Sequence, residues 1–197
     1  MTRAASPHPD TATAILDHAQ ALIQSRGYSA FSYNDVSQAL GITKASIHYH
    51  FPSKEQLGIA VVARYEAQFA RALSALAEDS HHSTADMLGF YTQPYMQFAD
   101  GRVLICLCGA LAGEIGALPE AVRARVAAFF EWHQAWLARI LERGVRRGEV
   151  RLHAPATDVA AMAFGALQGA LLMARAAGDP ARFHAAAAAL KAQLLTP

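Results

Sequence analysis

Apolar residues recur at helical spacing along most of the chain, and almost nowhere do they alternate with polar ones as a half-buried strand requires. Ile15, Ala19, Leu22 and Ile23 make the first stripe, with Asp10 as a candidate cap at its start and Gly27 as a left-handed stop at its end. Ser32 followed by Asp35 has the spacing of a capping box, which opens a second helix through Val36 and Leu40 and closes at Gly41. Thr43 can cap a third helix that turns Ile47 inward and ends before Pro52, because the residue ahead of a proline avoids the helical region. Ser53 and Gln56 start a fourth, running to about Ala77 and followed by a polar break from Glu78 to Ser83.

Five further helices are expected at about 84–98, 101–114, 119–146, 156–177 and 181–195. The turn signals between them are Asp100-Gly101, Gly116 to Pro119, Gly148 to Pro155 and Gly178-Asp179-Pro180. In the 119–146 segment Val122, Val126, Phe129, Phe130, His133, Leu137, Ile140 and Leu141 share one face, as an amphipathic helix requires. The fold class is therefore all-α.

The segment Tyr33 to Pro52, YNDVSQALGITKASIHYHFP, has the spacing of a helix-turn-helix. Val36, Leu40, Ile42 and Ile47 lock two short helices together, Ser37 is small where they cross, and Gly41 permits the turn. The second helix then shows an outer face of Thr43, Lys44, Ser46, His48, Tyr49 and His50, suited to a major groove. No acidic residue lies between Val36 and Lys54, so Lys44, His48, His50 and Lys54 form a local donor face for phosphate oxygens. His48 and His50 are either neutral, partly packed spacers or groups that charge below pH ~6.5 and tighten DNA binding. Two apart on one helix, they are poor joint ligands, and no metal site is expected there.

The run GITKASIHYHFPSKEQL resembles the recognition segment of the TetR family of transcriptional repressors, specifically over about residues 10–60 and by helix layout beyond. The resemblance implies a three-helix helix-turn-helix DNA-binding domain over residues 1–52 and a helical ligand-binding and dimerisation domain over 53–197. It also implies a homodimer on a palindromic operator, released when a small-molecule inducer binds. By the same resemblance Thr43, Tyr49, His50 and Lys54 meet the DNA backbone and Lys44, Ala45 and Ser46 face bases, with Ser32 and Tyr33 also among the DNA-binding residues. His48 stands where family members usually have tyrosine.

Net charge sharpens this reading. In 197 residues, 17 Lys and Arg against 16 Asp and Glu give +1, so nucleic-acid binding must come from that local patch. Hydrophobic residues are 53% and charged ones 17%, against roughly 45–50% and about 25% in typical domains, which suggests a surface covered by a second copy. Small residues at Ala160, Ala161, Ala163, Gly165, Ala166, Gly169 and Ala170 suit close helix approach across a two-fold axis. The N-terminus lacks the apolar core of a secretory signal, and the apolar runs Val103 to Gly113 and Val159 to Ala174 are short of an uninterrupted span; a cytoplasmic protein without membrane contact is expected.

No metalloprotease, nucleophile-elbow, phosphate-loop or zinc-spaced motif occurs, and Glu114 stands alone, so neither an enzyme nor a resident cofactor is expected. Candidate ligand-binding residues are Phe90, Tyr91, Tyr95, Cys106, Trp132, His133, Trp136, Phe164 and Gln168, with Phe98 and Phe129 nearby. Each is either ordinary core or pocket wall, but the polar tips of Tyr91, Tyr95, Trp132, His133 and Gln168 need partners if buried. Cys106 and Cys108 are two apart, which on a helix prevents their bridging. They are either buried small hydrophobes or, in an alternative reading, redox or electrophile sensors; a DNA-binding factor without any sensor is the other alternative.

Overall fold

The computed structural model describes residues 11–78, 81–101 and 104–196, so the expected cap Asp10 lies outside the described residues. Nine α-helices are described: α1 Thr11–Arg26, α2 Tyr33–Leu40, α3 Lys44–His50, α4 Lys54–Glu78, α5 Thr84–Gly101, α6 Leu107–Ala112, α7 Glu120–Arg146, α8 Ala156–Ala177 and α9 Ala181–Leu194, with a 3₁₀ turn at Ile115–Ala117. The all-α expectation holds: among the described residues the one sheet-like pairing is an isolated bridge between Val150 and Leu195.

The expected stripe of α1 is buried, Ile15, Ala19 and Ile23 completely. This helix packs on α2, α4 and α6, and so touches both ends of the chain's organisation. α7 is the central strut, packing on α4, α5, α6 and α8. Its inward face buries Val122, Val126, Phe129, His133, Trp136, Leu137, Ile140 and Leu141. The Trp136 indole stacks on Tyr91 at 5.3 Å and donates its N–H to the Leu73 carbonyl at 3.1 Å, which pins α4, α5 and α7 at one point.

Two helices depart from the expected boundaries. α5 runs on through Asp100-Gly101 and keeps Pro94 inside it. Proline has no N–H to offer the carbonyl of Phe90, so tertiary packing overrides a local breaker here. α6 is shorter than the expected 101–114, because the Ile105 carbonyl is taken by the Gln24 side chain of α1 at 2.7 Å and leaves the helical ladder. Cys106 therefore flanks the helix while Cys108 lies within it; both are buried free thiols.

The expectation that no run suffices to cross a membrane needs correction, since α8 is long and apolar enough by length and composition. It is a core helix on one side: Val159, Ala163, Phe164, Leu167, Ala170, Leu171 and Ala174 are buried. α7 and α9 cover that side. Ala160, Ala163 and Ala170, expected on an intermolecular face, are spent on this intrachain packing; Ala161, Gly165 and Ala166 point outward.

Candidate functional site

The α2–α3 unit is built from short-range bonds between side chains and main chain. Asp35 accepts both the backbone N–H of Ser32 at 2.8 Å and its hydroxyl at 2.6 Å, which holds the carboxyl below its ordinary pKa. Gly41 supplies the left-handed turn at φ 63°, and the Ser37 hydroxyl donates to the Ile42 carbonyl at 2.6 Å inside that turn. Thr43 caps α3 by accepting from Ser46 N–H at 3.1 Å. Val36 and Ile47 are fully buried between the helices.

What remains outside is the predicted face. Thr43, Lys44, Ala45, His48 and Tyr49 are exposed, Tyr49 at 84%, while Ser46 and His50 are half-buried. The His48 ring packs on Tyr33 at 4.7 Å with Nδ1 at 3.2 Å from the Pro52 carbonyl, and His50 meets the edge of Tyr49 at 5.1 Å. Both rings are thus packed on aromatic neighbours. Tyr33 donates its hydroxyl to the Phe51 carbonyl at 2.7 Å, so that donor, like the Ser32 hydroxyl, is engaged within the unit. Ser53 caps α4 through Gln56 N–H at 3.1 Å. The Lys54 ammonium lies over the rings of Tyr28 and Phe31, 4.6 and 4.5 Å from their centroids. Desolvation there lowers its pKa, opposed by the nearby carboxylates of Glu114 and Asp35.

Beside that cation–ring contact, four sets of hydrogen bonds and ion pairs among the described residues tie α1 and the loop after it to the rest of the molecule. Arg64 of α4 pairs with Asp17 at 2.7 Å and donates to Gln20 at 3.1 Å. Gln24 donates to the Ile105 carbonyl, as above. Arg175 near the end of α8 donates to the carbonyls of Ser25 at 2.7 Å and Gln24 at 3.4 Å, neutralising the negative end of α1. Glu114 accepts the Ser29 N–H at 2.9 Å. Partial burial pushes the Glu114 carboxyl up, but its bonds from Ser29 and the charge of Lys54 outweigh that and leave it lowered. Gly27, at φ +93°, sits so close that a Cβ there would fall 1.9 Å from Glu114 Oε1. Glu114 was visible beforehand as a lone carboxylate in an apolar segment. Gln24 and Arg175 gave no signal, because their partners are backbone carbonyls distant in sequence.

The sensor candidates divide between two clefts and a closed core. Phe90 and Tyr91 line a cleft of about 420 Å³ between α4 and α5, with Phe69, Leu73, Leu76 and Pro94. Phe164 and Gln168 line a second, of about 470 Å³, between α6, α7 and α8. Tyr95, Cys106, His133 and Trp136 are buried in the wall between, and Trp132 lies half-buried with its ring edge-on to His133. His133 is ringed by Phe69, Phe129, Phe164 and Tyr91. Burial drops its pKa to about 3, so it is neutral, with Nδ1 3.0 Å from the Tyr91 hydroxyl. Its Nε2, the Tyr95 hydroxyl and Gln168 Nε2 are buried with no hydrogen-bond partner among the described residues. Burial likewise pushes the Cys108 thiol well up, whereas Cys106 Sγ receives the Tyr65 hydroxyl at 3.8 Å. Tyr65 was not foreseen; its place on the inner stripe of α4 was the available sign.

Two family models match the chain, bacterial regulatory proteins of the tetR family over residues 15–61 and the tetracyclin repressor-like C-terminal domain over 95–190. A TetR-family regulator from Agrobacterium tumefaciens of known crystal structure is 36% identical, with a TM-score of 0.89 over 94% of this chain and 98% of that one. The chain belongs to the TetR family. It is similar to the HTH-type transcriptional repressor DhaR of Mycobacterium sp. (strain GP1), at 29% identity over 75% of this chain and 73% of DhaR. It is also similar to the transcriptional regulator AcuR of Cereibacter sphaeroides, at 28% identity over 90% and 80% of the two chains. As a TetR-family member the chain is a DNA-binding transcriptional repressor, and TetR regulators act by binding DNA, without catalysis.

Proposed function

We propose that this repressor binds a palindromic operator as a homodimer and leaves it when a small molecule binds, with residues 1–52 reading DNA and 53–197 sensing and dimerising. The observation that carries the reading is the α3 face: Thr43, Lys44, Ala45 and Tyr49 stand exposed on a capped helix, in a stretch without acids from Val36 to Lys54. Lys44, Ala45 and Ser46 at the helix start face bases, and Thr43, Tyr49, His48 and His50 meet phosphates. Lys54 reaches a phosphate only by leaving its aromatic rings, and Ser32 and Tyr33 act chiefly by holding the unit's shape.

The outward side of α8 supports the dimer. Met162, Leu172 and Met173 are large exposed apolar groups set among Ala161, Gly165 and Ala166, a face a single chain leaves to water. A two-fold contact there sets two reading helices on successive turns, about 34–36 Å apart or a multiple of it. The inducer acts by favouring a head spacing that does not match the grooves, to the extent that it binds that state better. The test uses duplex from immediately upstream of the coding region. Saturable binding to an inverted repeat there, with one dimer per repeat, is expected; no binding to any duplex at low salt overturns the reading.

The Tyr65 contact favours a second reading in which Cys106, rather than the strongly desolvated Cys108, senses electrophiles. Operator release by N-ethylmaleimide that persists in Cys106→Ser sinks it.

A further inference from the structure

The α6–α7–α8 cleft is joined to the first three helices in a way that the α4–α5 cleft is not. Ile105, in its wall, gives its carbonyl to Gln24 of α1. Gly113, also in the wall, directly precedes Glu114, which holds the Ser29 N–H. Leu172, on the opposite wall, stands one turn before Arg175, which holds the carbonyls that end α1. Three of the four ties described above thus originate at or beside this cleft, and the fourth, Arg64, comes from α4. No residue lining the α4–α5 cleft makes or adjoins such a tie.

The cleft's chemistry is equally restrictive. Among the described residues, no Lys, Arg, His, Asp or Glu lines it. Its walls are Ile105, Phe130, Phe164, Leu172 and small residues, and its polar groups are the amides of Gln134 and Gln168. Gln168 lines the cleft, and its Nε2, closed to solvent as it stands, has no acceptor among the described residues, so that opening the cleft exposes an unmet donor. Among those residues an anion would find no counter-charge, and a cation would meet no carboxylate.

Building on the ligand-responsive reading, we infer that the α6–α7–α8 cleft is the control site, and that its effector is an uncharged, largely apolar molecule bearing a carbonyl acceptor for Gln168. Such a molecule wedges α6 from α8 and strains the Ile105–Gln24, Glu114–Ser29 and Arg175–Ser25 bonds together, which frees α1 and its attached reading helix to reorient. Ala161, Gly165 and Leu172 also belong to the face assigned to the second copy, so the partner subunit lies over the open side.

The test uses the full chain and the neutral naphthyl ketone prodan, whose emission shifts to the blue in an apolar site. Saturable binding is expected, weakened about fivefold by Gln168→Leu, the equivalent of one hydrogen bond near 1 kcal/mol. Ala112→Phe, which fills the cleft, should abolish it, whereas Ala72→Trp in the α4–α5 cleft should leave it intact. Bound prodan should speed hydrogen exchange at the Ser29 amide and weaken binding to the upstream duplex. Loss of prodan in Ala72→Trp alone overturns the inference, as does full affinity in Gln168→Leu if Ala112→Phe fails to fold. Binding that leaves Ser29 exchange unchanged overturns it too, and so does the absence of saturable binding, the result expected if the partner's own side chains fill the space. Duplex binding by the unliganded chain is measured separately, so a failure of DNA recognition is not confused with failure of the site.

Discussion

The first three helices and the six that follow handle polarity in opposite ways. In α2 and α3 the polar side chains next to the backbone are spent on it: Asp35 on Ser32, Ser37 on Ile42, Thr43 on Ser46, Tyr33 on Phe51. This leaves a thin core of Val36 and Ile47 sufficient to hold the shape, and the remaining donors point to water. In the α4–α9 body several polar groups face inward without charge: burial keeps His133 neutral, and the Tyr95 phenol and Gln168 amide carry none. On the proposed reading the difference has a use: Lys44 stays hydrated where phosphates are to be met, whereas the interior proposed to take an uncharged small molecule keeps its donors neutral.

The comparison breaks first in the body. Trp136→Ala should cost about 3–5 kcal/mol, since the indole is buried at the junction of α4, α5 and α7 and its removal also takes away the N–H bond to the Leu73 carbonyl. Tyr49→Ala, at 84% exposure, should change stability by under about 0.5 kcal/mol while weakening duplex binding. Urea denaturation read by circular dichroism checks both, and comparable losses would erase the contrast.

His133 sharpens it through pH. Its folded pKa of about 3 lies below the ordinary histidine value, so the unfolded chain binds the extra proton between the two. Stability from this group is complete above pH ~6.5 and falls as pH drops, by about 1.4 kcal/mol per unit, until about pH 3. In His133→Phe the acid limb between pH 6 and 4 should flatten by about that slope. An unchanged limb would mean that the imidazole is solvated.

Between the two regions, Gly27→Ala should cost about 1–3 kcal/mol from its positive φ and the collision with Glu114. In a double-mutant cycle Glu114→Ala should relieve the collision and leave the conformational part. Strict additivity would mean that the carboxylate does not press on the α1–α2 turn.

Legibility followed the same division. The caps at Ser32, Thr43 and Ser53, the Gly41 turn and the α3 face were readable because each rests on residues within five positions of one another. The stripe of α7 was readable by periodicity. What escaped was long-range: Gln24 capturing the Ile105 carbonyl cut α6 short, packing carried α5 through Pro94, and Arg175 found carbonyls 150 residues away. The small residues of α8 signalled close approach without saying to what, and half of that signal was the intrachain core.

The smallest expected effect separates the two lysines of the reading surface. Lys44 is exposed on α3, while Lys54 is held over Tyr28 and Phe31 with its charge partly desolvated. A lysine that displaces counterions contributes about 0.9 to the slope of log affinity against log salt, whereas a cation on aromatic rings contributes about 0.5–1 kcal/mol to local packing. Lys44→Ala should therefore lower the salt slope by about one per half-site if it touches phosphate, or change the preferred sequence at constant slope if it reads a base, with stability unmoved in both cases. Lys54→Ala should loosen the Tyr28–Phe31 corner measurably and shift the slope less. Fluorescence anisotropy on the upstream duplex across 50–300 mM salt, about the range where such slopes are resolved, checks the pair; a larger slope change at Lys54 would show that its ammonium leaves the rings when DNA arrives.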